Sequence, residues 1–297
     1  MKSVNKLIAL VGTNASGKSS LGVELALKFG GEIVSADSRQ VFRGLDLGSG
    51  KITPEGMKGV RHHLLDVAEA GSFFSMADYQ KLAYAAIDDI LSRGKVPFLV
   101  GGTGLYVESV TKGYVLSDKP PDLNYRDELE KLSTPELYEM LTKLLPDVQI
   151  DKNNRNRVMR VLEKLHDGDD VLPSAEPRYD VLTLGVSWDR ETLKRRIDER
   201  LSRREKQGMI EEVRKLRESG VPDEFLLKLG LEYGYITEYL SGARPDRDEM
   251  MSELSLAIKR FAKRQVTWFK RDKTIRWLDM NNAPIEEAEK LIGAFLS

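Results

Sequence analysis

The stretch Lys6-Leu7-Ile8-Ala9-Leu10-Val11-Gly12-Thr13-Asn14-Ala15-Ser16-Gly17-Lys18-Ser19 decides the fold class. Residues 6–11 are a short apolar run ending at glycine, and residues 20–29 resume with Leu21, Leu25 and Phe29 at helical spacing. Between them, residues 12–19 match G-x-x-x-x-G-K-[ST], so the order is strand, glycine-rich loop, helix. In that setting the glycines let backbone N–H groups curve around phosphate oxygens, and the helix N-terminus adds positive potential. Lys18 neutralises phosphate charge and the Ser19 hydroxyl can ligate Mg²⁺. Gly12, Thr13, Asn14, Ala15, Ser16, Gly17, Lys18 and Ser19 are therefore the expected phosphate cradle. The alternative, a glycine-rich turn that binds nothing, is disfavoured by the flanking strand and helix.

Working outward, further strands are predicted at 32–36 (EIVSA), 63–67 (HLLDV), 96–100 (VPFLV), 181–186 (VLTLGV) and 274–278 (TIRWL). Amphipathic helices lie between several of them, among them residues 76–94, which Gly94 is placed to stop. Alternating strands and helices predict an α/β fold with a parallel sheet covered on both faces. The alternation lapses after Tyr114. From Lys119 to Arg178 there are helix-like stretches bounded by Pro120, Pro121, Pro135, Pro146, Pro173 and Pro177, and no convincing strand. A helical insertion at 118–178 is expected, nested in a catalytic core made of 1–117 and 179–297.

With 297 residues, 41% hydrophobic and 31% charged, the chain has the composition of a folded globular protein and can bury a sizeable core. It contains no cysteine, which removes disulfides, thiolate catalysis, zinc ribbons and iron–sulfur clusters and fits a reducing compartment. The apolar run near the start leads into the glycine loop rather than a cleavage site, and no segment approaches the ~20 apolar residues of a membrane span. A soluble, cytoplasmic protein with no membrane partner is expected, acting as a monomer. Net charge is −1, so attraction to nucleic acid would have to be local. It is concentrated in two places. Lys259, Arg260, Lys263, Arg264, Lys270, Arg271, Lys273 and Arg276 face the single acid Asp272, with Trp268 and Phe269 interleaved; Arg155, Arg157 and Arg160 form a smaller group. Either cluster read alone fits a solvated helix face.

The loop implies phosphate without specifying ATP. A P-loop ATPase normally carries a second strand ending in an acid that holds Mg²⁺. The strand at 96–100 ends instead in Gly101-Gly102-Thr103-Gly104, and Asp66 is a possible substitute acid. This favours a phosphate or diphosphate anchored for a transfer reaction over a motor.

The segments GTNASGKS, SADSRQVF, HHLLDV, FSMADY, VGGTGLYV, NNRNRVMRVLE, WDRETLKRRIDERL and FAKRQVTWFKRD occur in that order along nearly the whole chain. In this it resembles the tRNA dimethylallyltransferase (tRNA isopentenyltransferase) family, of the bacterial type without a zinc finger. The resemblance implies a P-loop nucleoside-kinase-like core with a helical insertion. It also implies a prenyltransferase that moves a dimethylallyl group from dimethylallyl diphosphate to the exocyclic N6 of the adenosine following the anticodon. Mg²⁺ and the anticodon stem-loop of tRNA are the implied cofactor and partner. By the same resemblance Asp37 is the base that takes the amine proton, Thr103 donates to the oxygen that leaves, and Arg200 reaches the diphosphate. Ser38, Arg39 and Gln40, with Asp37 and Thr103, correspond to the segment reading the flipped adenine. Arg126, Asn156, Arg157, Val158, Met159 and Arg160 correspond to tRNA contacts in the insertion. The chain departs from the family at Phe42, where tyrosine is usual, at Asn154, where an acid is common, and at Leu231-Glu232-Tyr233, which replaces a G-Y-[KR] pattern after Gly230.

Residue chemistry alone leaves alternatives open. Asp37 can equally cap the next turn, Thr103 can be an ordinary turn residue, and Arg195, Arg196, Arg203 and Arg204 can form a solvated face around Arg200. Arg157 and Arg160 can pair within their helix with Glu163. His62 and His63 stand without a cysteine or third histidine nearby, which points to a packed strand start rather than zinc. A nucleoside kinase would use the same loop with the insertion as a lid. An RNA-binding regulator would use the basic clusters but leave Lys18, Ser19 and Asp37 without a role. Relatives acting on free AMP share the phosphate chemistry, whereas the AKRQVTWFKRD tail favours tRNA.

Overall fold

The computed structural model describes residues 5–116, 122–168 and 175–297. Among these, β1 (Lys6–Gly12), β2 (Glu32–Ala36), β3 (His62–His63), β4 (Pro97–Gly101), β5 (Asp180–Ser187) and β6 (Arg276–Asp279) form one six-stranded sheet in the order β3-β2-β4-β1-β5-β6. Every pairing is parallel. The chain forms two compact units, Met1–Gly113 with Pro177–Ser297, and Tyr114–Glu176. The expected boundary at 117–118, with Lys119, Pro120, Pro121 and Pro173, lies outside the described residues.

Parallel strands buried on both faces need continuous apolar runs, and β1 supplies one in which Leu7 to Val11 are fully buried. The first crossover helix, α1 (Lys18–Lys28), starts at Gly17, whose φ of 88° only glycine adopts without strain. The short α2 (Pro54–Met57) is capped by Thr53 and precedes β3. α3 (Met76–Ser92) opens on a reciprocal capping box between Ser75 and Asp78, buries Tyr79, Ala83, Ile87 and Ile90, and ends before Gly94, as its sequence predicts. α4 (Gly104–Thr111) follows β4 directly.

The helical unit holds α5 (Leu123–Glu130), α6 (Thr134–Leu144) and α7 (Arg155–His166), which pack Leu129, Leu137, Leu141, Val158, Met159, Val161 and Leu162 into a core of their own. Arg155 is structural here. Its guanidinium donates to the carbonyls of Leu129, Glu130 and Leu132 at 3.2, 3.0 and 2.5 Å, satisfying the C-terminal end of α5. After β5 come α8 (Arg190–Lys206), α9 (Met209–Glu218), α10 (Asp223–Leu229), α11 (Leu231–Leu240) and the 23-residue α12 (Arg247–Phe269), then β6 and α13 (Pro284–Leu296).

Two strand expectations need correction. The strand placed at 63–67 reduces to the pair His62–His63, because Leu64 and Asp66 take left-handed φ values of 64° and 56° that break any ladder. Asp66 instead bonds Lys51 Nζ at 2.5 Å, so it is not an acid at a strand end. The last strand is Arg276–Asp279, offset toward the C-terminus from 274–278.

Strand order brings the C-terminal ends of β1, β4 and β2 side by side, and ligands of such sheets bind at that edge. Gly101 sits at the centre of this edge in register with Val11 and Ala36. A Cβ there would lie 2.1 Å from the Ala36 carbonyl oxygen. Gly101→Ala is therefore expected to lower stability by about 1–3 kcal/mol in urea denaturation. Gly293→Ala on α13, where a Cβ meets nothing within 4 Å, should raise it by about 0.5–1 kcal/mol.

Candidate active site

Residues 12–19 connect β1 to α1 as the sequence predicts, and other parts of the core hold this loop in shape. Trp188 Nε1 donates to Ser16 O at 2.8 Å and Arg196 Nε to Ala15 O at 3.0 Å, so two of the loop's carbonyls are turned toward protein donors. The first amides of α1 have no intrahelical acceptor, which leaves them for an anion. The Asn14 amide is already used, donating to Gln265 Oε1 at 2.9 Å. Gln265, buried on α12, also donates from Nε2 to Gly102 O at 2.8 Å and so joins the phosphate loop to the loop after β4.

Lys18 Nζ donates to Thr13 O at 3.2 Å. Burial of the ammonium lowers its pKa to about 8; Asp37 opposes the shift and Arg200 adds to it. Arg200 on α8 donates to Asn14 Oδ1 at 2.9 Å and to Gly50 O at 3.0 Å. Burial, then the neighbouring Arg204, lowers its pKa to about 10. Neither cation has a carboxylate partner within ion-pair distance among the described residues. Ser19 is exposed at the mouth of the loop. No three His, Asp or Glu converge as a metal site among the described residues. A Mg²⁺ ion at Ser19 would thus take most of its ligands from phosphate and water, which this ion tolerates well.

Asp37 follows β2 directly. Its Oδ1 accepts the Arg39 backbone N–H at 3.0 Å, the turn-capping geometry, while Oδ2 has no hydrogen-bond partner among the described residues. The Thr103 hydroxyl accepts the Ser38 N–H at 3.0 Å and donates to Ser38 Oγ at 3.3 Å, and the Thr103 N–H donates to Ala36 O at 3.1 Å. The loops after β2 and β4 are therefore bonded to each other, with Asp37 and Thr103 together at the sheet edge. The Gln40 carboxamide accepts from Ser35 Oγ at 3.4 Å. Arg39 turns its guanidinium inward, to Glu232 Oε2 at 2.9 Å and Leu229 O at 2.8 Å, rather than offering it to a ligand. Phe42 is buried edge-on to Phe225 at 5.1 Å, an apolar setting in which a tyrosine hydroxyl would need a partner.

In the helical unit Arg157 is exposed and its guanidinium has no partner among the described residues. Arg160 Nη1 pairs with Glu163 Oε2 at 3.0 Å, and Arg126 Nε lies 3.6 Å from Glu163 Oε1. Asn156 is exposed. Val158 and Met159 face the other way, 0% and 5% exposed. This corrects their assignment to a nucleic-acid surface: their side chains fill the unit's core. Apolar residues at 158, 159, 162 and 165 already carry that helical spacing.

Residue reasoning missed Trp188, Arg204, Glu232 and Gln265 as parts of the site. For Arg204 a signal existed. Arg196, Arg200 and Arg204 recur at i, i+4 and i+8, beside Ile197 and Leu201, which places them on one buried-side stripe of α8. Of the arginines read as a possible solvated face, Arg204 is 6% exposed and Arg196 stacks over Trp188 at 4.6 Å, whereas Arg195 and Arg203 are exposed. In the basic tail Lys259 pairs with Asp198 at 2.7 Å and Arg271 lies over Trp268 at 3.8 Å, while Arg260, Lys263, Lys270 and Lys273 are exposed.

Fold and site together define an α/β P-loop protein whose cationic loop faces an acid and a threonine on the neighbouring strand ends. The family model described as IPP transferase matches residues 40–272, and the chain belongs to that family. It is 41% identical over 300 residues to the tRNA dimethylallyltransferase 2 of Citrifermentans bemidjiense, covering 98% of this chain and 96% of that protein. The crystal structure of the full-length tRNA isopentenylpyrophosphate transferase of Bacillus halodurans is 37% identical, with a TM-score of 0.76 over 98% of this chain and 96% of that one. A eukaryotic dimethylallyltransferase acting on tRNA gives a TM-score of 0.85 at 25% identity, over 98% of this chain and 79% of that one. Among the described residues no helix is long and apolar enough to cross a membrane.

The Lys18 shift has a measurable sign. The folded protein releases this proton near pH 8, whereas the unfolded chain holds it to about 10.5. The unfolded state binds more protons between those values, so stability rises with pH across the window, and the penalty is fully present below it. Lys18→Met should stabilise the ligand-free protein by on the order of 2 kcal/mol below pH 8, with the gain shrinking toward pH 10.5 in urea denaturation.

Proposed function

We propose that this chain transfers a dimethylallyl group from dimethylallyl diphosphate to the exocyclic N6 of the adenosine following the anticodon of tRNA, releasing diphosphate. The observation that carries the reading is the gathering at one sheet edge of two partly buried cations, Lys18 and Arg200, neither within ion-pair distance of a carboxylate among the described residues, and Asp37, whose Oδ2 has no hydrogen-bond partner among those residues. The relatives' names supply the substrates, and the site's chemistry suits them.

Residues 12–19 cradle the diphosphate through the amides at the start of α1, with Lys18 and Arg200 on its oxygens. Ser19 would hold Mg²⁺, which would supply further charge neutralisation. The adenine amine attacks the allylic carbon, the bond from that carbon to oxygen breaks, and the electron pair leaves with the diphosphate. Lys18 and Arg200 stabilise the negative charge that grows there, with Thr103 as a donor to the leaving oxygen. Asp37 Oδ2 accepts the amine proton as the new bond forms. Ser38 and Gln40 face the flipped base, whose polar edges they can bond. The helical unit Tyr114–Glu176, which overlaps the insertion expected at 118–178, binds the anticodon stem-loop through Arg126, Asn156, Arg157 and Arg160, since arginine forks suit phosphate. The enzyme works as a cytoplasmic monomer.

Two sets of variants test this. Asp37→Ala should slow single-turnover transfer by ~10²- to 10⁴-fold with both substrates saturating, while donor affinity stays near that of the parent. Asp37→Asn, which can orient the amine but not take its proton, should be similarly slow; a parent-like rate for Asp37→Ala reduces the residue to a turn cap. In tRNA binding, Arg157→Ala and Arg160→Ala should each weaken affinity and reduce the salt slope by about one. Unchanged slopes for both would leave them as a solvated face.

A further inference from the structure

Glu232 is fully buried yet takes no part in the proton or phosphate chemistry above. Its Oε2 accepts from Arg39 Nη1 at 2.9 Å and its Oε1 from Arg204 Nη2 at 3.1 Å. Each arginine belongs to a segment that carries a residue of the site. Arg39 sits on the loop after β2, where its backbone N–H donates to Asp37 Oδ1 at 3.0 Å. Arg204 also donates to Gly48 O, and one helical turn earlier Arg200 donates to Gly50 O at 3.0 Å and to Asn14 of the phosphate loop at 2.9 Å.

The backbone that delivers Glu232 is strained. Gly230 and Leu231 have φ values of 63° and 44°, and a leucine in the left-handed region is uncommon. Such strain persists where the surroundings over-determine it. The Arg39 fork does so here, gripping Leu229 O at 2.8 Å on one side of the strained pair and Glu232 on the other. Stability does not account for the arrangement, because a buried ion pair can often be replaced by apolar residues without loss. What an apolar side chain cannot do is fix two guanidinium groups at defined places.

We propose that Glu232 is a positioning residue, a buried anchor that ties the loop carrying Asp37 to the helix carrying Arg200 and so sets the base and the leaving-group cation in register. The inference rests on the roles given to Asp37 and Arg200 above. Without the Glu232 charge, Arg39 and Arg204 lose their shared acceptor, and the loop that carries Asp37 loses this tie to α11.

The test separates binding from chemistry. In Glu232→Gln, checked as folded by circular dichroism, dimethylallyl diphosphate and tRNA dissociation constants should each change less than about threefold, while the single-turnover rate with both saturating falls ~10- to 100-fold, the scale expected for a small misplacement of reacting groups. Arg39→Gln removes the same tether from its other end and should give the same split. Because the two act as one unit, the Glu232→Gln/Arg39→Gln double variant should be no more than about threefold slower than the slower single. A parent-like rate in Glu232→Gln, a rate loss fully explained by weaker binding, or a double variant as slow as the product of the singles would overturn the proposal. Should Glu232→Gln not fold, a parent-like rate in Arg39→Gln overturns it alone. A parent protein that fails to prenylate tRNA defeats the proposed function; an active parent with an unaffected Glu232→Gln defeats only the positioning role.

Discussion

Partial burial of the Lys18 ammonium and the Arg200 guanidinium, with no carboxylate within ion-pair distance of either among the described residues, depresses both pKa values, to about 8 and about 10. Removing charge from water without a counterion is costly. A polyanion bound there would supply compensating charge and raise the Lys18 pKa, with uptake of a proton at mildly basic pH. The same unscreened cations would favour a transition state in which negative charge grows on a departing oxygen.

The remaining architecture serves that concentration of charge. Parallel pairing of β1, β4 and β2 sets the phosphate loop, the Gly101-Gly102-Thr103-Gly104 turn and Asp37 on adjacent strand ends. Glycine is needed where they crowd together. A Cβ at Gly102 would come 2.8 Å from Gln265 Nε2 and one at Gly104 would come 2.2 Å from Trp268 Nε1. The turn after β5 and helices α8 and α12 then hold the loop through Trp188, Arg196 and Gln265 respectively. Glu212 repeats the theme on the flanking segment, its carboxylate accepting the amides of Asp46, Leu47 and Gly48 at 3.2, 2.6 and 2.9 Å.

Much of this was legible in the sequence because local rules sufficed. Residues 6–19 specify a strand, a glycine loop and a helix start by periodicity and glycine placement alone, and Ser75 with Asp78 marks the start of α3. What stayed hidden depends on tertiary context. HLLDV has strand composition, but the left-handed Leu64 and Asp66 leave no trace in residue type. Helical spacing beside Ile197 and Leu201 separates Arg204 from the exposed Arg203, but its partner Glu232, 28 residues further on, leaves no such trace. Gln265 joins loops more than 150 residues away, a contact between distant segments that spacing cannot encode. Val158 and Met159 show the reverse: their apolar spacing was readable as core, and resemblance to a tRNA-contacting segment pointed elsewhere.

In the proposed reaction Lys18 and Arg200 anchor a diphosphate that leaves with its electron pair while Asp37 takes the proton of an RNA amine. Its most direct measurement incubates the purified protein with Mg²⁺, dimethylallyl diphosphate and unmodified tRNA whose anticodon is followed by adenosine, then digests the RNA and weighs the nucleosides. Isopentenyladenosine is expected in place of that one adenosine, with diphosphate released in equal amount and no requirement for ATP. Unmodified nucleosides, or phosphate transfer from ATP under the same conditions, would contradict it.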